Sequence, residues 1–123
     1  MKNILVIDDA ATVRMYHCNI LTAAGYQTDE AINGIEALEK ALTTDFDLYI
    51  VDINMPKMDG YGFLKEIRSN QNLRQVPAIM VSTEGGANDK VLAYNAGANL
   101  YLIKPVKPND LLSYTRFLLG EGA

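Results

Sequence analysis

Short runs of apolar, largely β-branched residues alternate along the chain with longer stretches of helical period. Runs buried on both faces belong to a parallel sheet, and each parallel strand needs a crossover, usually a helix, to reach the next. The runs are Asn3 to Ile7, Gln27 to Ala31, Leu48 to Val51, Ala78 to Ser82 and Asn99 to Ile103. Gln27 to Ala31 carries Thr28, Asp29 and Glu30 and reads as an edge; the others are strongly apolar. Between them, helical faces are expected from Val13, Tyr16, Ile20 and Ala24, from Ile35, Leu38 and Leu42, from Phe63, Leu64 and Ile67, and from Leu111, Leu112, Thr115 and Leu118. Gly25, Gly97 and Gly120 mark helix ends, Pro77 a strand start and Pro108 a helix start. The pattern predicts one doubly wound α/β domain over residues 1–123, a five-stranded parallel sheet with helices on both faces.

Composition narrows the function. At 123 residues the chain is the size of one domain whose core needs no disulfide, and its single cysteine, Cys18, can form none internally. Eleven Lys plus Arg against fifteen Asp plus Glu give a formal charge of -4, which argues against a grip on nucleic acid. After Met1, Lys2 and Asn3 the only apolar residues before two aspartates are Ile4 to Ile7, too short a run for a signal-peptide core or a membrane span. A cytoplasmic protein without membrane attachment is expected.

In open parallel sheets the ligand site lies beyond the carboxyl ends of the strands, where strand order reverses. Asp8 and Asp9 follow the first run and Asp52 follows the third, so three carboxylates point toward one sheet edge. If the two strands are neighbours, about 4.8 Å apart, those groups can share a cation. An all-oxygen set suits Mg²⁺, and the turn-rich loop Asp52 to Gly60 has carbonyls to complete it. Helix capping alone explains Asp8 or Asp9 but not the coincidence of three. Ser82 ends the fourth run with a hydroxyl and Lys104 the fifth with an ammonium. A phosphoryl group on a carboxylate here would meet cation, hydroxyl and ammonium together.

These residues, Asp8-Asp9, Asp52-x-Asn54-Met55-Pro56-x-Met58-Asp59-Gly60, Ser82 and Tyr101-x-x-Lys104-Pro105, resemble the receiver domain of two-component response regulators. The single-domain, CheY-like chemotaxis type is the nearest match. The resemblance spans nearly the whole chain and implies a flavodoxin-like fold. It implies a signalling protein rather than an enzyme, in which Asp52 accepts a phosphoryl group from a phosphohistidine on a sensor histidine kinase. It also implies Mg²⁺ held directly by Asp9, Asp52 and the Asn54 carbonyl, with Asp8 acting mainly through water. Lys104 would pair with the carboxylate and then with the phosphoryl oxygens, and Ser82 would donate its hydroxyl to them.

By the same resemblance Tyr101 is a switch residue that turns inward or outward, reporting on a face with Lys90, Tyr94, Lys107 and Asp110. Output then goes through protein contact, to a flagellar motor switch, another kinase or a phosphotransfer protein, from a monomer. Thr83 stands where the family more often has a smaller residue, Val106 replaces a frequent aromatic, and Gly85-Gly86 loosens the loop before the fourth helix. The Lys104-Pro105 bond is expected to be cis. A haloacid-dehalogenase-type phosphohydrolase, a flavodoxin-like electron carrier and a degenerate receiver that only binds are the competing readings. His17, in the first helix, is assigned no role.

Overall fold

The computed structural model describes residues 1–121, so the last two residues of the expected domain lie outside the described part. Its elements are β1 (Asn3–Ile7), α1 (Ala11–Ala23), β2 (Gln27–Ala31), α2 (Gly34–Thr43), β3 (Leu48–Asp52), α3 (Gly60–Ser69), β4 (Ala78–Ser82), α4 (Ala87–Ala96), β5 (Leu100–Ile103) and α5 (Pro108–Leu118). The described strands form one five-stranded sheet in the order β2-β1-β3-β4-β5, every neighbouring pair parallel. Strand order reverses between β1 and β3. The first and third runs are thus neighbours, the condition under which their carboxylates can share a cation.

Side chains alternate across the sheet, and each face supports its own core. Leu5, Ile7, Tyr49, Val51 and Met80 pack with Ala37, Phe63, Leu64, Ile67, Ala93 and Ala96, which places α2, α3 and α4 on that face. Ile4, Val6, Leu48, Ile50, Ile79 and Val81 pack with Leu21 and Leu111, which places α1 and α5 on the other. Two bounds differ from expectation. Asp52 is the last residue of β3 rather than the residue after it, and β5 begins at Leu100. Asn99 instead brackets the start of β4, its backbone N–H donating to the Ala78 carbonyl (2.9 Å) and its Oδ1 accepting from the Ala78 N–H (2.9 Å).

The expected faces of α3 and α5 are the buried ones, whereas those of α1 and α2 are borne out only in part: Ile20, Ala24 and Leu38 pack against the cores, but Tyr16, Ile35 and Leu42 do not. In α1 the buried residues are His17 and Leu21, while Tyr16 is exposed. Tyr16 donates its hydroxyl to the Val106 carbonyl at 2.9 Å, which lays the ring along the surface instead of under the helix. In α2 the buried residues are Gly34, Ala37 and Ala41, and Ile35 and Leu42 face outward. Small residues at this spacing let the helix axis approach the sheet, and hydropathy alone ranks them below the larger Ile and Leu.

Local signals behave as their chemistry dictates. Asn33 caps α2 by accepting from the Glu36 N–H, Asp59 caps α3 by accepting from Gly62, Pro108 opens α5, and Gly97 closes α4 at φ 112°. The edge strand β2 is fastened by Arg14–Glu30 (2.9 Å) and Lys40–Asp29 (3.0 Å) ion pairs.

Thr115 of α5 is fully buried, and its hydroxyl has no hydrogen-bond partner among the described residues. An unmatched buried hydroxyl carries a desolvation penalty that a methyl group does not. Thr115→Val, close in shape, is therefore expected to stabilise the fold by about 1 kcal/mol. Urea denaturation checks this, and a loss of stability would show that the hydroxyl has a partner.

Candidate functional site

The register levels Ile7 with Val51, so Asp8 and Asp52 emerge side by side from adjacent strands. Asp8, Asp9 and Asp52 each offer a ligand oxygen, all within 4.8 Å of one another. Asp8 is 2% exposed and Asp52 8%, whereas Asp9 is open to solvent. Ser82 follows Val81, the partner of Asp52, and Lys104 follows Ile103, the partner of Ser82. Four strand ends thus converge on one spot.

Lys104 Nζ reaches Asp8 Oδ2 at 2.7 Å and Asp52 Oδ1 at 3.1 Å. Asp8 Oδ1 accepts from the Ala10 N–H at 2.9 Å, so both oxygens of Asp8 are engaged while Asp9 stays free to face a ligand. Burial pushes the Asp52 carboxyl above its ordinary pKa, the Asp8 charge adds to this, and the ammonium of Lys104 opposes it. For Lys104, burial works against the charge, but the hydrogen bonds it donates to Asp8 and Asp52 outweigh that and raise its pKa. The lysine therefore stays an ammonium at neutral pH. One cation faces three carboxylates, and the remaining negative charge suits a second cation with a preference for oxygen.

Two glycines hold the loop that follows Asp52. A Cβ on Gly60 would lie 2.3 Å from the Asp52 carbonyl oxygen, and the Gly60 N–H donates to the Ile53 carbonyl at 2.9 Å. Any side chain there would displace the peptide of Asp52. A Cβ on Gly34 would lie 2.6 Å from Met58 Cγ, and the Gly34 N–H donates to the Met58 carbonyl at 3.0 Å. The first turn of α2 is thereby seated on the loop. Asn54, whose carbonyl was expected to join the site, is exposed in this loop, where Lys57 adopts φ 69°.

Ser82 is buried, and its Oγ accepts from the Glu84 N–H at 3.1 Å. The Tyr101 ring lies inward, 8% exposed, with its hydroxyl donating to the Glu84 carbonyl. Lys90, Tyr94, Lys107 and Asp110 are exposed as expected, but in this conformation Tyr101 adds nothing to their surface. The reason is that β5 turns its ring toward Met80 and the α4 face, where the turn after Ser82 receives it. Thr83, Gly85 and Gly86 are exposed, Val106 is buried, and the Lys104-Pro105 bond is cis.

Two neighbours of the site had no role from sequence reasoning: His17, which was assigned none, and Arg14, which was not singled out. His17 is 3% exposed and borders an apolar cavity of about 320 Å³ shared with Tyr16, Lys104 and Pro105; burial holds its pKa below the ordinary value, Asp8 opposing and Lys104 assisting. Arg14 donates to the Asp8 carbonyl at 2.8 Å. No local periodicity signals either contact.

A parallel doubly wound sheet with an aspartate pair, a strand-end aspartate and a lysine gathered at its switch point makes an acidic site with the oxygen ligands that suit a hard cation. The chain belongs to the response regulator receiver domain family, whose model matches residues 4–116. It is 39% identical over 119 residues to the chemotaxis protein CheY1 of Helicobacter pylori, covering 95% of this chain and 96% of that one. It is 37% identical over 122 residues to the chemotaxis protein CheY homolog of Campylobacter jejuni, covering 98% and 94%. Among solved structures, chemotaxis protein CheY4 of Vibrio cholerae superposes with a TM-score of 0.90 at 35% identity over 96% of this chain and 98% of that one. A CheY-like receiver from Methanospirillum hungatei gives 0.90 at 32% identity over 99% and 96%. Receivers are signalling proteins that accept phosphate on aspartate, generally with Mg²⁺ in an acidic pocket. Family membership sets aside the phosphohydrolase and electron-carrier readings.

The raised pKa of Asp52 has a consequence for stability. A carboxyl that holds its proton more tightly in the folded state is costly to ionise there, and the cost vanishes once pH falls below its ordinary value of 3.8. Asp52→Asn is expected to unfold at higher temperature than wild type at pH 7 without divalent cation, and the gap should close below about pH 4. Thermal melts across that range check the sign; a less stable variant at pH 7 would reverse it.

Proposed function

We propose that this chain is a phosphoryl-accepting receiver whose acceptor is Asp52, with a sensor histidine kinase as donor and phosphorylation-dependent protein binding as output. The observation that carries the reading is the single Lys104 ammonium bridging Asp8 and Asp52 among three clustered carboxylates. A nucleophilic carboxylate needs its charge screened enough to let an anionic donor approach, yet not so tightly paired that it cannot attack. Partial pairing with a shared lysine, 3.1 Å from Asp52 against 2.7 Å from Asp8, meets both demands.

Asp52 attacks phosphorus in line; the new bond is carboxylate oxygen to phosphorus, and the bond that breaks joins phosphorus to the donor histidine nitrogen. Asp9, Asp52 and the Asn54 carbonyl would hold Mg²⁺, with Asp8 acting mainly through water. When bound, the metal supplies the charge neutralisation that three carboxylates and a phosphoryl group require. Lys104 stays at the site and follows the charge from the carboxylate to the phosphoryl oxygens. Ser82 Oγ accepts from Glu84, which leaves its own proton free to donate to a phosphoryl oxygen.

The route outward starts at the same turn. Ser82 and Tyr101 both hydrogen-bond Glu84, so a pull on Ser82 acts on the tyrosine. Helix α4 is weakly anchored next to it: its buried residues are Ala93 and Ala96, and its N-cap, Gly86, offers no side-chain hydrogen bond. The exposed face with Lys90, Tyr94, Lys107 and Asp110 reads the change, fitting a partner such as a flagellar motor switch or a phosphotransfer protein.

Acetyl phosphate with Mg²⁺, followed by intact mass, tests the chemistry. Wild type is expected to gain one phosphoryl group, Asp52→Asn none, and excess chelator should prevent the gain. A wild type that gains none would make the chain a binding module only. Tyr101→Ala is expected to take up phosphate normally and to lose most of its partner response, measured by affinity for the target with and without phosphorylation; a full response would remove Tyr101 from the route.

A further inference from the structure

We propose that Arg14 is a positioning residue for the divalent cation, acting through the peptide that joins Asp8 to Asp9. The inference rests on the Mg²⁺ reading above and assigns part of the site's affinity to a residue outside it. Asp9 is exposed, and its carboxylate makes no hydrogen bond with any described residue. Its placement therefore depends on the backbone that carries it. The planar Asp8–Asp9 peptide is held at the Asp8 carbonyl, which accepts from Arg14 Nη1 at 2.8 Å. One step earlier the Asp8 N–H donates to the Ala31 carbonyl at 3.0 Å. With both ends of Asp8 tied, the Cα of Asp9 has one place to be.

Arg14 is itself held. Its Nε donates to Glu30 Oε1 at 2.9 Å, and its side chain is only 14% exposed. A rigid guanidinium fork can bond Glu30 with one nitrogen and the Asp8 carbonyl with another, a geometry that a lysine ammonium on a flexible stem does not reproduce. The tie matters more because α1 has no side-chain cap and no acidic residue in its first turn. The edge strand β2, two strands from Asp52, thereby helps place a metal ligand at the end of β1. Lys40 provides an internal control: it fastens the same strand through Asp29 and the Glu30 carbonyl, with no hydrogen bond to Asp8.

Mg²⁺ titration followed by amide NMR on wild type, Arg14→Gln, Arg14→Lys and Lys40→Gln, with a thermal melt of each, tests this. Arg14→Gln is expected to raise the Mg²⁺ Kd about 10-fold, in line with the loss of a group that orients a ligand. The Asp9 and Ala10 amides should move in the cation-free protein, and phosphoryl uptake should recover at saturating Mg²⁺. Arg14→Lys should fall between, and it carries the test if the glutamine variant does not fold. Lys40→Gln should lower the melting temperature and leave Kd unchanged. An unchanged Kd in both Arg14 variants, or an equal rise in Lys40→Gln, overturns the role of Arg14. Wild type that binds no Mg²⁺ overturns the metal reading and this inference with it.

Discussion

Three carboxylates crowd together at the carboxyl edge of the sheet with one ammonium bridging two of them, Asp8 and Asp52, and much of the structure exists to keep them there. Left to relax, like charges this close separate or take up protons. They are prevented by backbone: the register levels Asp8 with Asp52, Gly60 lies against the Asp52 peptide, and the Ala10 N–H engages Asp8. The hydrophobic cores on the two sheet faces make that backbone stiff. Stability generated by Leu5, Val51, Phe63 and Leu111 is in effect what holds an electrostatically unfavourable cluster together.

In the proposed function the same tension makes the site responsive: a deficit of positive charge draws a cation, and cation and phosphoryl group together change which groups Lys104 and Ser82 face. The turn after Ser82 is the part of the site with the least to lose by moving, since Thr83, Glu84, Gly85 and Gly86 are exposed and α4 behind them buries two alanines. A rigid strand-end cluster beside a weakly anchored helix can convert a local charge change into a shift of surface.

The sheet and the converging strand ends were readable from sequence because both follow from local pattern: short runs of four or five residues, four of them apolar and ending at or just before Asp8, Asp52, Ser82 and Lys104. Asp52 fell one residue inside its strand rather than after it, a difference that leaves its neighbours unchanged. The outward turn of Ile35 and Leu42 was not readable, because it depends on how closely Gly34, Ala37 and Ala41 let α2 approach the sheet and Met58. Arg14 was missed for a related reason. Its partners lie 6 and 16 residues away on different strands, and nothing in an isolated helix distinguishes it from a solvated arginine. The inward Tyr101 was not readable either, because a strand pattern is compatible with the ring on the surface or against Met80 and α4.

The central claim is that cation binding, phosphoryl acceptance and the Tyr101 switch are one coupled system centred on Asp52. Amide NMR during successive addition of Mg²⁺ and then beryllofluoride, a stable phosphoryl mimic, tests it most directly. Mg²⁺ alone should move Asp9, Asp52 and Asn54; beryllofluoride should then extend the changes through Ser82 and Glu84 to Tyr101 and α4, and only when Mg²⁺ is present. Changes that ignore Mg²⁺, or that stop at the metal loops and never reach Tyr101, would contradict the account.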